Sequence, residues 1–182
     1  MIRFLLVACC VVLFYGCSAK DQSLSVNEYQ QDKLARDIMD MSNKIDKKEA
    51  YHLAKEALMY PKVLAKQYDL VTPANYHNTL INMGYRKRGF CYHWAEDIIT
   101  HLKQQKYKTI DLRWGVSRKG EADEHNSVVV VAKGARFETG ILLDAWRNSG
   151  DLYWSKIPKD THFDWVENKD RTLTFGTAKT FW

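Results

Sequence analysis

The chain has 182 residues, 46% of them hydrophobic, with 27 Lys+Arg against 22 Asp+Glu for a net charge of +5. That length suits one domain with a single sizeable core, and no Pro-, Gly- or Ser-rich linker, low-complexity tract or internal repeat divides it. The positive excess is too small and too dispersed for a nucleic-acid-binding stripe.

In chain order, MIRFLLVACCVVLFYGC comes first, with Arg3 ahead of an unbroken apolar run over residues 4–15. Crossing ~30 Å of hydrocarbon takes ~20 apolar residues, so residues 1–16 read as a signal peptide rather than a membrane span. Leu13-Phe14-Tyr15-Gly16-Cys17 resembles the lipobox of bacterial lipoproteins. The resemblance implies that Cys17 is diacylated, becomes the mature N-terminus and holds the protein to a membrane of the cell envelope. Ser18, where an aspartate would signal retention in the inner membrane, implies the outer membrane facing the periplasm in a Gram-negative host. The alternative is an ordinary cleaved signal with an incidental Cys17.

Cys9 and Cys10 leave with the leader and Cys17 takes the lipid, so Cys91 is the one thiol remaining of four. No intramolecular disulfide can then form. Exported compartments pair cysteines oxidatively, and a lone thiol there points to a reactive group or an intermolecular partner. The competing reading is a small buried residue that merely packs.

Residues 17–31 read as the lipidated cysteine and a polar tether, and residues 32–182 as one domain. Leu34, Ile38, Met41 and Ile45 recur at spacings of four, three and four, which is one helical face. A second helical pattern runs over 47–68, with Leu53, Ala54, Ala57, Leu58, Leu64 and Ala65 apolar and Pro61 expected to kink or divide it. Residues 74–83 predict a short helix ended by Gly84. Ala95, Ile98, Ile99 and Leu102 predict another over 90–105, with Cys91 at its N-terminus. Beyond Lys108, segments 109–116, 127–132, 141–146, 153–157 and 173–175 are rich in β-branched and aromatic residues and read as strands. Lys119-Gly120, Lys133-Gly134 and Asn148-Ser149-Gly150 are the turns between them. Helices followed by an antiparallel sheet make the α+β class, with the helix that carries Cys91 packed on the sheet.

A thiol becomes an acyl-transfer nucleophile when it is partly ionised, has an imidazole beside it and has a third group holding that imidazole's tautomer. A helix N-terminus supplies unpaired N–H groups and about half a positive charge, which favours thiolate at Cys91. The basic run Arg86-Lys87-Arg88 stands just ahead, as a further influence or as a solvated loop. His125 opens His125-Asn126-Ser127-Val128-Val129-Val130-Val131, at the entrance of a central strand. Asp144 interrupts Ile141-Leu142-Leu143-Asp144-Ala145-Trp146, where a carboxylate is costly unless paired. A hairpin turning between Gly134 and Gly140 would bring His125 and Asp144 to nearby rungs, and a slip of one residue would part them.

Gly89-Phe90-Cys91, then His125 thirty-four residues later, then Leu143-Asp144 on a following strand, resembles the core of the transglutaminase-like branch of papain-like cysteine enzymes. The match spans about residues 85–147. It implies that Cys91 attacks an amide carbonyl, that His125 takes the thiol proton and delivers one to the leaving amine, and that Asp144 orients His125. The product is a thioester enzyme, resolved by water or by an amine, with the Cys91 N–H as one oxyanion donor. The substrate would be a peptide or a cell-wall cross-link, with no cofactor. A non-catalytic binding lipoprotein with an inert, buried Cys91 is the alternative on the same fold.

His93 lies two residues from Cys91, a helical separation of about 200°, and reads as structural or as groove wall. Cys91, His93 and His125 lack the second ligand pair of a zinc site, so no metal is expected. His52, His77, His101 and His162 read as surface or capping residues. Of the aromatic residues after Asp144, most read as core; Tyr92, Trp94, Trp146 and Arg147 are expected to border the site, with Trp146 shielding the His125–Asp144 pair from water.

Overall fold

A computed structural model of the chain describes residues 26–174; the expected signal peptide over 1–16, Cys17 and the C-terminal Phe175, Phe181 and Trp182 lie outside them. The described chain is α+β. Four helices come first: α1 (Glu28–Met39), α2 (Lys47–Gln67), α3 (Ala74–Asn82) and α4 (Cys91–Gln104). The strands β1 (Ile110–Ser117), β2 (His125–Ala132), β3 (Ile141–Asn148), β4 (Asp151–Lys156) and β5 (Val166–Glu167) follow, then α5 (Lys169–Thr174).

Helix α1 begins earlier than its apolar face suggests, because the Asn27 side chain caps it by accepting from Tyr29 N and Gln30 N. Residues 28–31, expected in the tether, are therefore its first turn. The helix ends at Met39, yet Met41 and Ile45 still pack on the core from the turn beyond. Helix α2, capped by Asp46, is not divided at Pro61 and runs through it. Proline inside a helix costs ~3 kcal/mol. Burial of Leu53, Leu58 and Leu64 on the same helix, each worth ~1.5–3 kcal/mol, outweighs that cost.

The sheet has the order β4-β3-β2-β1-β5, and every pairing in it is antiparallel. Central β2 is buried at all its positions because both of its faces are covered. Val128 and Val130, with Trp114, Ile141 and Leu143, meet α1, α2 and α4 in the main core. Val129, Val131 and Leu142 meet Phe137, Ile157 and Trp165 in a smaller one behind the sheet. Where a strand is expected at 173–175, residues 173–174 belong to α5, whose first turn is capped by Asn168 Oδ1 accepting from Arg171 N, and Phe175 lies outside the described residues. Leu173-Thr174-Phe175, with one β-branched and one aromatic residue, is too short a signal to outweigh that cap. The edge strand is instead the two-residue β5 on β1.

Candidate active site

The segment that delivers Cys91 is braced by rings close to it in sequence. Gly89 has φ +134°, and a Cβ there would stand 2.4 Å from the His77 imidazole, so only glycine fits. His77 is fully buried, which corrects its expected place on the surface. Its Nδ1 accepts from Val71 N at 3.2 Å, so Nε2 carries the proton that it donates to Arg88 O at 2.9 Å. His93 Nδ1 accepts from Gly89 N and Phe90 N at 3.1 and 3.3 Å. Trp94 Nε1 donates to Gly89 O at 2.9 Å. The Arg88 guanidinium pairs with Glu96 and Asp97, and Tyr68 donates its hydroxyl to Asp97. Burial, then the Arg88 charge, push the His93 pKa down to about 4, which keeps the ring neutral and able to accept.

Cys91 is the first residue of α4, and intrahelical bonding begins only at His93 N and Trp94 N, both donating to Phe90 O. The N–H groups of Cys91 and Tyr92 precede it and are available to a developing oxyanion. The thiol is partly exposed and lies 3.7 Å from Glu124 O, to which it donates. Glu124 is fixed in turn: its carboxylate accepts from Gly120 N and Asn126 Nδ2, and Asn126 Oδ1 accepts from Trp114 Nε1.

The imidazole comes from the next residue. Between β2 and β3 the register pairs Val128 with Leu143. Continued toward the strand end, it sets Ser127 opposite Asp144, and the two-residue period puts His125 on the same face. His125 Nε2 lies 2.7 Å from Asp144 Oδ2, with His125 3% and Asp144 2% exposed. With Nε2 engaged, Nδ1 is the ring nitrogen left for Cys91. Burial pushes the His125 pKa down, but hydrogen bonds to Asp144 and Cys91, and their negative charges, outweigh it and raise it to about 9. The rings of Phe163, Trp146 and Trp165, at centroid distances of 4.4, 5.0 and 5.4 Å, close around the imidazole and keep water from the pair.

Cys91 and His125 open onto a groove of about 800 Å³. Tyr92 and Trp146 line it as expected. Trp94 does not: it is 2% exposed, with its ring edge-on to Tyr68, because its indole N–H serves the Gly89 turn. Arg147 does not border the groove either. It sits behind Asp144, its own N–H on Oδ1 and its Nε on Oδ2, both at 3.1 Å.

Two features went unread in the sequence. Asn75, Asn78 and Asn82 form a carboxamide stripe along the groove, which their spacing of three and four on one helix could have revealed. Asp160 is a buried partner of Arg147, and a lone aspartate after Pro158-Lys159 carries no periodic signal. Among the described residues no group of three His, Cys, Asp or Glu is placed to hold a metal ion. Compared with known proteins, the chain matches no family model, no curated protein and no solved structure.

Proposed function

We propose that the protein is an exported, lipid-anchored cysteine enzyme of the transglutaminase-like kind that cleaves or exchanges amide bonds in peptides or cell-wall cross-links. The observation that carries this reading is the buried Asp144–His125 pair, with His125 lining the same groove as a partly exposed Cys91 at a helix N-terminus. Partial exposure of the thiol favours reaction over inert packing. Cys91 Sγ attacks the carbonyl carbon once its proton has passed to His125, the charged state that the raised imidazole pKa favours. Collapse of the tetrahedral adduct breaks the C–N bond, and His125 returns that proton to the departing amine. Water or a second amine then attacks the thioester, gives its proton to His125 and releases the Cys91 thiolate, which recovers the proton. Asp144 holds the imidazole through Nε2 during both transfers.

Alkylation of native Cys91 by iodoacetamide at pH 6 tests the site. His125→Ala is expected to slow it by ~10²-fold or more. Labelling that needs denaturation would show the thiol to be inert, and native labelling that ignores His125 would remove the imidazole from the reaction. Envelope peptides and cross-linked wall fragments incubated with the protein, with Cys91→Ala as control and mass spectrometry as readout, then identify the bond that is cut.

A further inference from the structure

The carboxylate that orients His125 is itself held from behind. Arg147 donates its backbone N–H to Asp144 Oδ1 and its Nε to Oδ2, the same oxygen that bonds His125 Nε2. The far end of its guanidinium forks onto Asp160, with Nη1 at 3.3 Å from Oδ1 and Nη2 at 2.7 Å from Oδ2. Asp160 is fixed by two more donors, Trp165 Nε1 at 3.0 Å and His162 N at 3.2 Å. The guanidinium also lies over the rings of Tyr153 and Phe163, at 4.0 and 5.0 Å from their centroids. Both carboxylates are almost wholly buried, so neither has water to satisfy or neutralise it.

We propose that Arg147 and Asp160 are positioning residues that act through Asp144, forming a charge-alternating relay that sets how firmly the carboxylate holds the His125 imidazole. This rests on the reading of His125 as the base. The chain imidazole, carboxylate, guanidinium, carboxylate alternates in sign, and each member tempers its neighbour. Arg147 draws on the Asp144 charge that would otherwise act on His125 alone, and Asp160 limits how much it draws. Burial pushes the Asp160 carboxyl up, but Arg147, Trp165 and the His162 N–H outweigh it and hold the group charged. Other groups face His125 as well: Cys91 from α4, Glu124 from the preceding loop, and Ser117 opposite it on β1. Arg118 and His162 stand beyond the Phe163 ring. None of these bonds Asp144, so the relay is separable from them.

The test is an NMR titration of the His125 ring carbon in the full chain held in detergent, with the pH profile of Cys91 alkylation by iodoacetamide run in parallel. Arg147→Met leaves Asp144 uncompensated and is expected to raise the His125 midpoint by about one pH unit; Asp160→Asn strengthens the pull of Arg147 and is expected to lower it by a similar amount. The double variant removes a neutral pair and is expected to return the midpoint to within about 0.3 units of the unmodified chain. A buried pair replaced by neutral groups commonly leaves a protein folded, so the double variant decides if a single one fails to fold. Residues that only support the fold would move both midpoints the same way or not at all, and a double variant shifted by a unit or more would likewise overturn the proposal. If Cys91 alkylates independently of His125, the enzyme reading falls, while the ring titration still tests the relay.

Discussion

The two halves of the site are built in opposite ways. The turn carrying Cys91 is braced by His77, Arg88, His93 and Trp94, whose bonds span three to eleven residues. The imidazole half is assembled across the sheet: His125 meets Asp144 nineteen residues on, and Arg147 meets Asp160 across thirteen. The turn is satisfied by nearby donors and acceptors and needs the sheet only as a floor. The imidazole half exists only when β2 and β3 pair in one register. Damage to the turn should therefore show in folding, and damage to the imidazole half in chemistry.

The largest expected effect that would break this contrast comes from Gly89→Ala. A methyl group would meet a His77 ring that is pinned at both nitrogens, at a φ that side chains rarely adopt, at a cost of ~3 kcal/mol or more. Urea unfolding would show it, and a stable Gly89→Ala chain would mean that the turn is not the constraint described. Smaller is His93→Phe, which strips two N–H groups of their acceptor and is expected to cost ~1–3 kcal/mol in the same assay. The rate contribution of His125 should survive in whatever fraction remains folded. Loss of His125-dependent alkylation from the folded fraction would give His93 a chemical part as well.

The smallest effect is in pH dependence, and the two imidazoles pull in opposite directions. His125 has a raised pKa, so the stability it contributes is full below the usual 6.5 and lost as pH rises through about 9. His93 has a depressed pKa, so its contribution is present above 6.5 and lost as pH falls through about 4. Thermal melts should peak near pH 6.5. His125→Ala should flatten the alkaline slope and His93→Phe the acid slope, and a swap of those two outcomes would reverse the assignment of the rings.

Much of this was legible in the chain. Helix α4 shows itself through Ala95, Ile98, Ile99 and Leu102, and its start at Cys91 is a local matter of a glycine and two rings. The cost of an aspartate inside Ile141-Leu142-Leu143-Asp144-Ala145-Trp146 was enough to demand a partner for it. Trp94 and Arg147 were misplaced because a sequence shows that a side chain is near a site, not which way its polar end turns. Trp94 turns its N–H back to Gly89, and Arg147 turns toward Asp160. His77 looked like a surface or capping residue, and only its packing against Gly89 reveals its burial.

By itself, then, the sequence determined the α+β order, a thiol at a helix start and the need to pair Asp144, since periodicity and desolvation act on local stretches of chain. Tertiary structure decided the register that joins His125 to Asp144, the passage of α2 through Pro61 and the place of Asp160. Those depend on burial summed over distant residues and on the alignment of strands, neither of which any short stretch contains.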